Sequence, residues 1–179
     1  MTLTKTPICN FGEKAKDFNL LSTENRKVSL NDIKGENGTL IMFICNHCPY
    51  VKAVIKDVVQ DVKYLETLGI KSTAIMSNDV KNYPEDSFEN MISFSKFHAF
   101  SFPYVIDDTQ EVAKEYGAVC TPDFFGYNKK LELQYRGRIR QLKNLKPVRK
   151  GDSDLRIAME QISASGQGPK KQIPSMGCN

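Results

Sequence analysis

The residues of this sequence best suited to chemistry are the two cysteines of the segment Cys45-Asn-His-Cys48. A C-x-x-C pair forms either a redox-active dithiol or half of a zinc site. A zinc site would need two further ligands, and the only candidates, unpaired in the sequence, are His47, His98, Cys120 and Cys178. We therefore expect a redox dithiol and no metal, with a metal site or a pair of merely small, buried residues as the alternatives.

The segments on either side of this pair predict a junction between a strand and a helix. The apolar run over residues 39–45 is typical of a strand buried on both faces. After Pro49, apolar residues recur every three or four positions as far as Leu68, which predicts an amphipathic helix that stops at Gly69. The dithiol would then lie where this helix begins.

A position at a helix N-terminus favours a reactive Cys48. Free N–H groups and the helix dipole favour an anion there, which lowers the pKa of a thiol and produces the reactive thiolate. We expect Cys48 to be the catalytic nucleophile and Cys45 to be the resolving cysteine. His47 lies between them; it either assists catalysis, by moving a proton or lowering a thiol pKa, or is an exposed spacer.

Two other cysteines are possible accessory thiols. Cys120 immediately precedes Thr121-Pro122, and is either a small buried residue or a second resolving cysteine. Cys178 belongs to a glycine- and proline-containing segment without periodicity. Such a tail can fold back toward Cys48 or Cys120, because closing a long loop costs little more than closing a short one, or Cys178 can pair with a partner protein.

The rest of the chain alternates between strand and helix patterns. Strands are predicted at residues 70–76, 104–107 and 131–136, and helices at residues 87–98, 110–116 and 155–163. This alternation is typical of an α/β protein. We expect one domain over residues 1–164 and an extended C-terminal tail over residues 165–179.

The order of these elements, with a dithiol after the first buried strand, resembles the thioredoxin fold. The fold implied is a central mixed β-sheet flanked by helices, with an N-terminal β extension. Several segments together resemble the peroxiredoxin-like branch of this superfamily, which includes alkyl hydroperoxide reductase, thiol-specific antioxidant and redoxin-like proteins. They are residues 12–20, 28–35, 43–49, 77–79, 117–125, 135–137 and 174–178.

The resemblance carries expectations about the substrate site and the reaction. It implies a cis peptide bond at Thr121-Pro122, next to the active cysteine, and a role for both residues in substrate binding. Peroxiredoxins carry a threonine where this chain has Cys45. They also carry an arginine that activates the peroxide, and in this chain only Arg136 and Arg138 occur at a comparable place in the order of motifs.

Thiol–disulfide exchange is therefore our first expectation for the activity. Antioxidant peroxide reduction is the second, and a non-catalytic binding or metal-carrying module the third. The expected partners are a protein disulfide or a hydroperoxide, with a thioredoxin-type or glutathione-type reductant, and no cofactor is expected.

Composition and charge argue against a membrane protein and against a nucleic-acid-binding protein. The 179 residues are 40% hydrophobic and 26% charged, as in ordinary globular domains, and no apolar run approaches the ~20 residues of a membrane span. No signal-peptide pattern is visible, so we expect a cytoplasmic protein that binds no membrane. Residues 129–150 hold nine basic side chains and one acidic one, which indicates a solvated basic hairpin or a docking patch for an acidic partner. With a single aromatic residue there, nucleic-acid binding is not expected.

Overall fold

A central seven-stranded sheet organises the computed structural model, which describes residues 2–179. Its strands, in chain order, are β2 (Asn19–Ser22), β3 (Lys27–Ser29), β4 (Gly38–Phe43), β5 (Ile70–Met76), β6 (Tyr104–Ile106), β7 (Asp123–Tyr127) and β8 (Leu133–Arg136). They are arranged in the order β3-β2-β6-β5-β4-β7-β8. β4, β5 and β6 run parallel to one another, whereas β7 is antiparallel to β4, so the sheet is mixed.

Helices cover both faces of this sheet. They are α1 (Pro49–Glu66), α2 (Phe88–Phe97), α3 (Glu111–Tyr116) and α4 (Asp154–Ser165). Side chains of β4 alternate between the faces, because successive residues of a strand point in opposite directions. Leu40 and Met42 pack with α1, α2 and α4, and Ile41 and Phe43 pack with α3 and the N-terminal segment. This architecture confirms the predicted thioredoxin-like α/β fold.

The two ends of the chain meet beside the sheet. Strand β1 (Leu3–Lys5) pairs antiparallel with β11 (Met176–Cys178), so that Leu3 lies opposite Cys178. The segment leading to β11 is held along its length, since the Arg138 N–H donates to the Ile173 carbonyl and the Thr6 N–H to that of Ser175. The C-terminal residues therefore follow a defined path over the domain.

The basic stretch contains a short exposed hairpin of β9 (Leu142–Lys143) and β10 (Lys146–Pro147). Within residues 2–179, no helix combines the length and the apolar character needed to cross a membrane.

Candidate active site

The cysteine pair occupies the turn between β4 and α1. Cys48 is the N-cap residue of α1, with an extended backbone, and Pro49 follows at the first helical position, where its missing N–H costs no hydrogen bond. The side chains of Cys45 and Cys48 are both completely buried. Strand, dithiol and helix therefore follow one another as the sequence predicts.

The environment of Cys48 favours its thiolate. Hydrogen bonding from the Cys45 thiol is the main cause that lowers the pKa of Cys48, and burial opposes it. Hydrogen bonding from the Cys178 thiol and from the Val51 N–H, in the first turn of α1, lowers this pKa further. The lowered pKa gives Cys48 the character of a nucleophile at neutral pH.

Cys45 has the opposite character. Its pKa is raised by the hydrogen bond to Cys48, by burial and by the nearby charge of Asp86. Its Sγ lies 3.4 Å from the hydroxyl oxygen of Thr121. One proton is thus shared unequally by the pair and stays on Cys45, which leaves a thiolate next to a thiol that can later resolve a mixed disulfide.

His47 is held by a buried carboxylate rather than exposed as a spacer. Its Nδ1 lies 2.6 Å from Oδ2 of Asp86, in the short 3-10 turn Pro84–Asp86, and its ring stacks on Tyr83 at 5.1 Å between centroids. Because a carboxylate only accepts hydrogen bonds, Nδ1 carries the proton. Nε2 is buried and finds no hydrogen-bond partner among residues 2–179. In neutral His47 it therefore offers a free lone pair.

Asp86 is the residue of the site that the sequence reasoning missed. Besides His47, it accepts hydrogen bonds from the Asn46 N–H at 2.8 Å and the Asn78 amide at 2.9 Å, and it is fully buried. A signal was present, since the loops after β4 and β5, two adjacent parallel strands, must meet at one edge of the sheet. Asp86 lies in the second of these loops.

Cys45, His47 and Asp86 form a compact cluster. One ligand atom from each of the three lies within 4.8 Å of the other two. Both Asp86 oxygens accept hydrogen bonds from N–H donors, three in all, so most of the accepting capacity of this carboxylate is already used. The same proximity lets His47 exchange a proton with the Cys45 thiol, directly or through one water.

The loop before β7 faces the dithiol. The Thr121-Pro122 peptide bond is cis, which confirms the prediction for this bond. In the thiol form, the Cys48 Sγ donates a hydrogen bond to the Thr121 carbonyl at 3.3 Å. Thr121 therefore contacts Cys45 through its hydroxyl and Cys48 through its backbone.

The C-terminal strand β11 pairs with the backbone N–H and carbonyl groups of Thr121. The Thr121 N–H donates to the Cys178 carbonyl at 2.8 Å, and the Cys178 N–H donates to the Thr121 carbonyl at 3.1 Å. This pairing brings the half-buried Cys178 to Cys48. Cys120 is near but turned aside, since its Sγ donates to the Pro122 carbonyl at 3.8 Å. Burial raises the pKa of Cys120 to about 12.

The two arginines with a possible peroxiredoxin role are engaged elsewhere. Arg136 forms a buried ion pair with Asp123 at 2.9 Å and donates to the Gly117 carbonyl at 2.8 Å. Arg138 pairs with Asp154 at 2.7 Å. Their guanidinium groups hold the fold rather than face the sulfur of Cys48.

Comparison with known proteins identifies the family of this chain. The family model described as AhpC/TSA matches residues 11–142. The chain belongs to the AhpC/TSA family. This membership, together with the thioredoxin-like fold, gives the chain a thioredoxin-like redox function. Among curated proteins, none matches the sequence.

Solved structures extend the similarity over the whole chain. An uncharacterized conserved protein from Geobacillus kaustophilus is 38% identical, with a TM-score of 0.93 over 99% of this chain and 95% of its own. A hypothetical protein from Sinorhizobium meliloti 1021 is 32% identical, with a TM-score of 0.90 over 99% and 97%. The thioredoxin domain of a thiol-disulfide oxidoreductase from Bacteroides vulgatus shares the fold at 16% identity, with a TM-score of 0.60 over 70% and 86%.

Proposed function

We propose that the chain is a thiol–disulfide oxidoreductase in which Cys48 is the nucleophile and Cys45 is the resolving cysteine. The observation that carries the proposal is the placement of two buried sulfurs at the junction of β4 and α1, with Cys48 at the N-cap of α1 and both sulfurs in contact with Thr121. The pKa of Cys48 is lowered by its hydrogen bond from Cys45, and that of Cys45 is raised by the same bond.

The chemistry begins when the Cys48 thiolate attacks one sulfur of a substrate disulfide. A Cys48–substrate bond forms, and the other substrate sulfur leaves as a thiolate. The charge on Cys48 disappears in this step, and with it the main cause that raises the pKa of Cys45. Cys45 can then give its proton to His47, attack Cys48 and release the reduced substrate, which leaves a Cys45–Cys48 disulfide.

Thr121 is the residue that would hold an extended substrate segment. Its N–H and carbonyl groups can pair with a peptide strand, as they do with Cys178. A protein substrate would therefore have to displace β11 from Thr121 before it reaches Cys48, and Pro122 would line the same edge.

Peroxide reduction is the second candidate, and the burial of Cys48 favours it. A small peroxide needs less displacement of β11 to reach the buried Cys48 than a protein disulfide does. In this reaction the Cys48 thiolate attacks one peroxide oxygen, the O–O bond breaks and Cys48 becomes a sulfenic acid. The leaving alkoxide or hydroxide takes up a proton from solvent to form an alcohol or water. Cys45 then condenses with the sulfenic acid, and water is released. The position of Cys45 and the engaged arginines count against this candidate.

One pair of assays separates the candidates. Reduction of insulin disulfides and consumption of hydrogen peroxide are measured for the wild type, Cys48→Ser, Cys45→Ser and the control Cys9→Ser. Cys9 packs against the opposite apolar layer of the sheet and should not affect either assay. We expect insulin reduction to be lost in Cys48→Ser, and Cys45→Ser to accumulate a mixed disulfide. Full insulin reduction by Cys48→Ser would contradict the proposal, and peroxide consumption alone would select the second candidate.

A further inference from the structure

The arrangement of the three sulfurs raises the question of how an oxidised site is reduced again. A disulfide between Cys45 and Cys48 would join two side chains with no exposed surface. Thiol–disulfide exchange requires a thiolate to reach a disulfide sulfur directly. An external reductant therefore has no route to this pair while β11 lies over the site.

Cys178 provides such a route. It is half-buried, it interacts with the sulfur of Cys48, and it lines a cavity of about 230 Å³ together with Lys114, Gln110 and Cys120. Neither Cys45 nor Cys48 belongs to the lining of this cavity. Cys178 thus connects the buried sulfur to a space that a reductant can enter.

Specific contacts, and not only the reach of a flexible tail, hold Cys178 in position. Two backbone hydrogen bonds tie it to Thr121, and the preceding Ser175 hydroxyl donates to the Pro122 carbonyl at 2.8 Å. Gly177 allows this approach, because a Cβ atom at that position would lie 1.9 Å from the Thr121 carbonyl oxygen. The strand therefore presents Cys178 to Cys48 by a close backbone fit.

We propose that Cys178 is a relay thiol that carries the disulfide from the buried pair to the cavity. The proposal rests on the function proposed above. Burial raises the pKa of the Cys178 thiol to about 12, so this thiol gives up its proton as its sulfur attacks. The Cys178 sulfur attacks the Cys48 sulfur of the Cys45–Cys48 disulfide, a Cys48–Cys178 bond forms, the Cys45–Cys48 bond breaks, and the proton passes to Cys45. No net oxidation or reduction occurs in this exchange.

Reduction then takes place at the cavity. An external thiolate attacks the Cys178 sulfur and expels Cys48, whose lowered pKa makes it a good leaving group. A second external thiolate attacks the resulting mixed disulfide and restores Cys178. Two thiols are oxidised to one disulfide, and the protein disulfide is reduced to two thiols. The reductant is a low-molecular-weight thiol or a protein dithiol.

The test separates formation of the disulfide from its reduction. Wild type, Cys178→Ser, Gly177→Ala and the control Cys120→Ser are oxidised with a disulfide substrate, quenched in acid and mapped by mass spectrometry. Reduction is then timed with glutathione and, separately, with a thioredoxin-type protein dithiol. Cys120→Ser is a matched control because it removes a thiol from the lining of the same cavity.

The relay predicts a distinct pattern. Wild type should contain both Cys45–Cys48 and Cys48–Cys178 disulfides. Cys178→Ser should still form Cys45–Cys48, but the reductant that acts faster on the wild type should reduce this disulfide at least about tenfold more slowly, because its route to the buried pair is lost. Gly177→Ala should lose the Cys48–Cys178 disulfide, because a Cβ atom there would meet the Thr121 carbonyl, and Cys120→Ser should behave like the wild type.

Two other outcomes have different meanings. Unchanged reduction of oxidised Cys178→Ser would overturn the relay and leave the proposed function intact. Absence of a Cys45–Cys48 disulfide from every variant would overturn the proposed function, and the relay with it.

Discussion

Replacing Asp86 by asparagine should weaken the active site and the fold together. The carboxylate is fully buried and accepts three hydrogen bonds, from the Asn46 N–H, from His47 Nδ1 and from the Asn78 amide. An asparagine side chain has one accepting oxygen and one donating NH₂ group. Whichever way it is oriented, its NH₂ group must face at least one N–H donor that the carboxylate now satisfies.

The size of the effect follows from these contacts. One buried donor left without a partner costs about 1–3 kcal/mol, and the bonds that survive lose the extra strength of a charged acceptor, about 1 kcal/mol each. Removal of a buried charge offsets part of this loss. We expect Asp86→Asn to lower the free energy of unfolding by roughly 2–4 kcal/mol, and the melting temperature by roughly 5–15 °C for a domain of this size.

The assay is chemical and thermal unfolding of the reduced protein, with Asp108→Asn as a control at an exposed carboxylate. A second measurement follows the thiol. The charge of Asp86 raises the pKa of Cys45, so the variant should show a more acidic Cys45 despite its lower stability. Stability equal to that of Asp108→Asn, with an unchanged Cys45 pKa, would refute the role given to Asp86.

Two further predictions concern Cys48 and a buried ion pair. Alkylation of Cys48, measured against pH, should have a midpoint well below that of a free thiol, ~8.5, and Cys45→Ala should raise it by removing the main cause of the shift; an unshifted wild-type midpoint would contradict this. Because the folded pKa is lowered, the stability that this thiolate contributes should be lost as pH falls through that pKa, and Cys48→Ser should lack this dependence. Asp123→Ala should cost about 3–5 kcal/mol in urea unfolding, because Arg136 is left buried without its partner. Asp108→Ala is the control, and equal losses in the two variants would be the contrary result.

Local patterns predicted the elements that position the dithiol. Strand β5 has the predicted bounds, and α1 begins at Pro49 as expected from its periodicity and its first-turn proline. These signals are local, since they depend on apolar spacing within a few turns and on residues that begin or end a helix. They were sufficient to place Cys48 at a helix N-terminus.

Local patterns were less accurate where a side chain accepts hydrogen bonds from backbone N–H groups at the start of a strand or helix. The strand expected from residue 131 begins at Leu133, because the Asn128 Oδ1 accepts from the Lys130 and Glu132 N–H groups and extends the turn. At the start of α3, the Thr109 hydroxyl accepts from the Glu111 N–H at 3.4 Å, and the Asp107 carboxylate accepts from the next two N–H groups. Such choices depend on the local geometry as much as on residue type.

The contacts of Asp86 and Cys178 could not be derived from local patterns at all. Asp86 reaches His47 across 39 residues of sequence, and Cys178 pairs with Thr121 across 57. The sequence showed that a tail thiol could reach the site at small entropic cost. Only the fold shows which backbone edge receives it.

The register of two central strands explains why distant thiols meet at one residue. β4 and β7 are antiparallel neighbours, with Phe43 opposite Asp123. The chain leaving β4 toward Cys48 must therefore lie beside the chain entering β7 through Thr121. Thr121 offers a hydroxyl to Cys45, a carbonyl to Cys48 and both backbone groups to Cys178, so a peptide that replaced β11 on Thr121 would lie next to Cys48 as Cys178 does. In the proposed mechanism, a substrate peptide and Cys178 cannot pair with Thr121 at the same time. This competition would separate the reaction of the dithiol with its substrate from the later reduction of the protein disulfide.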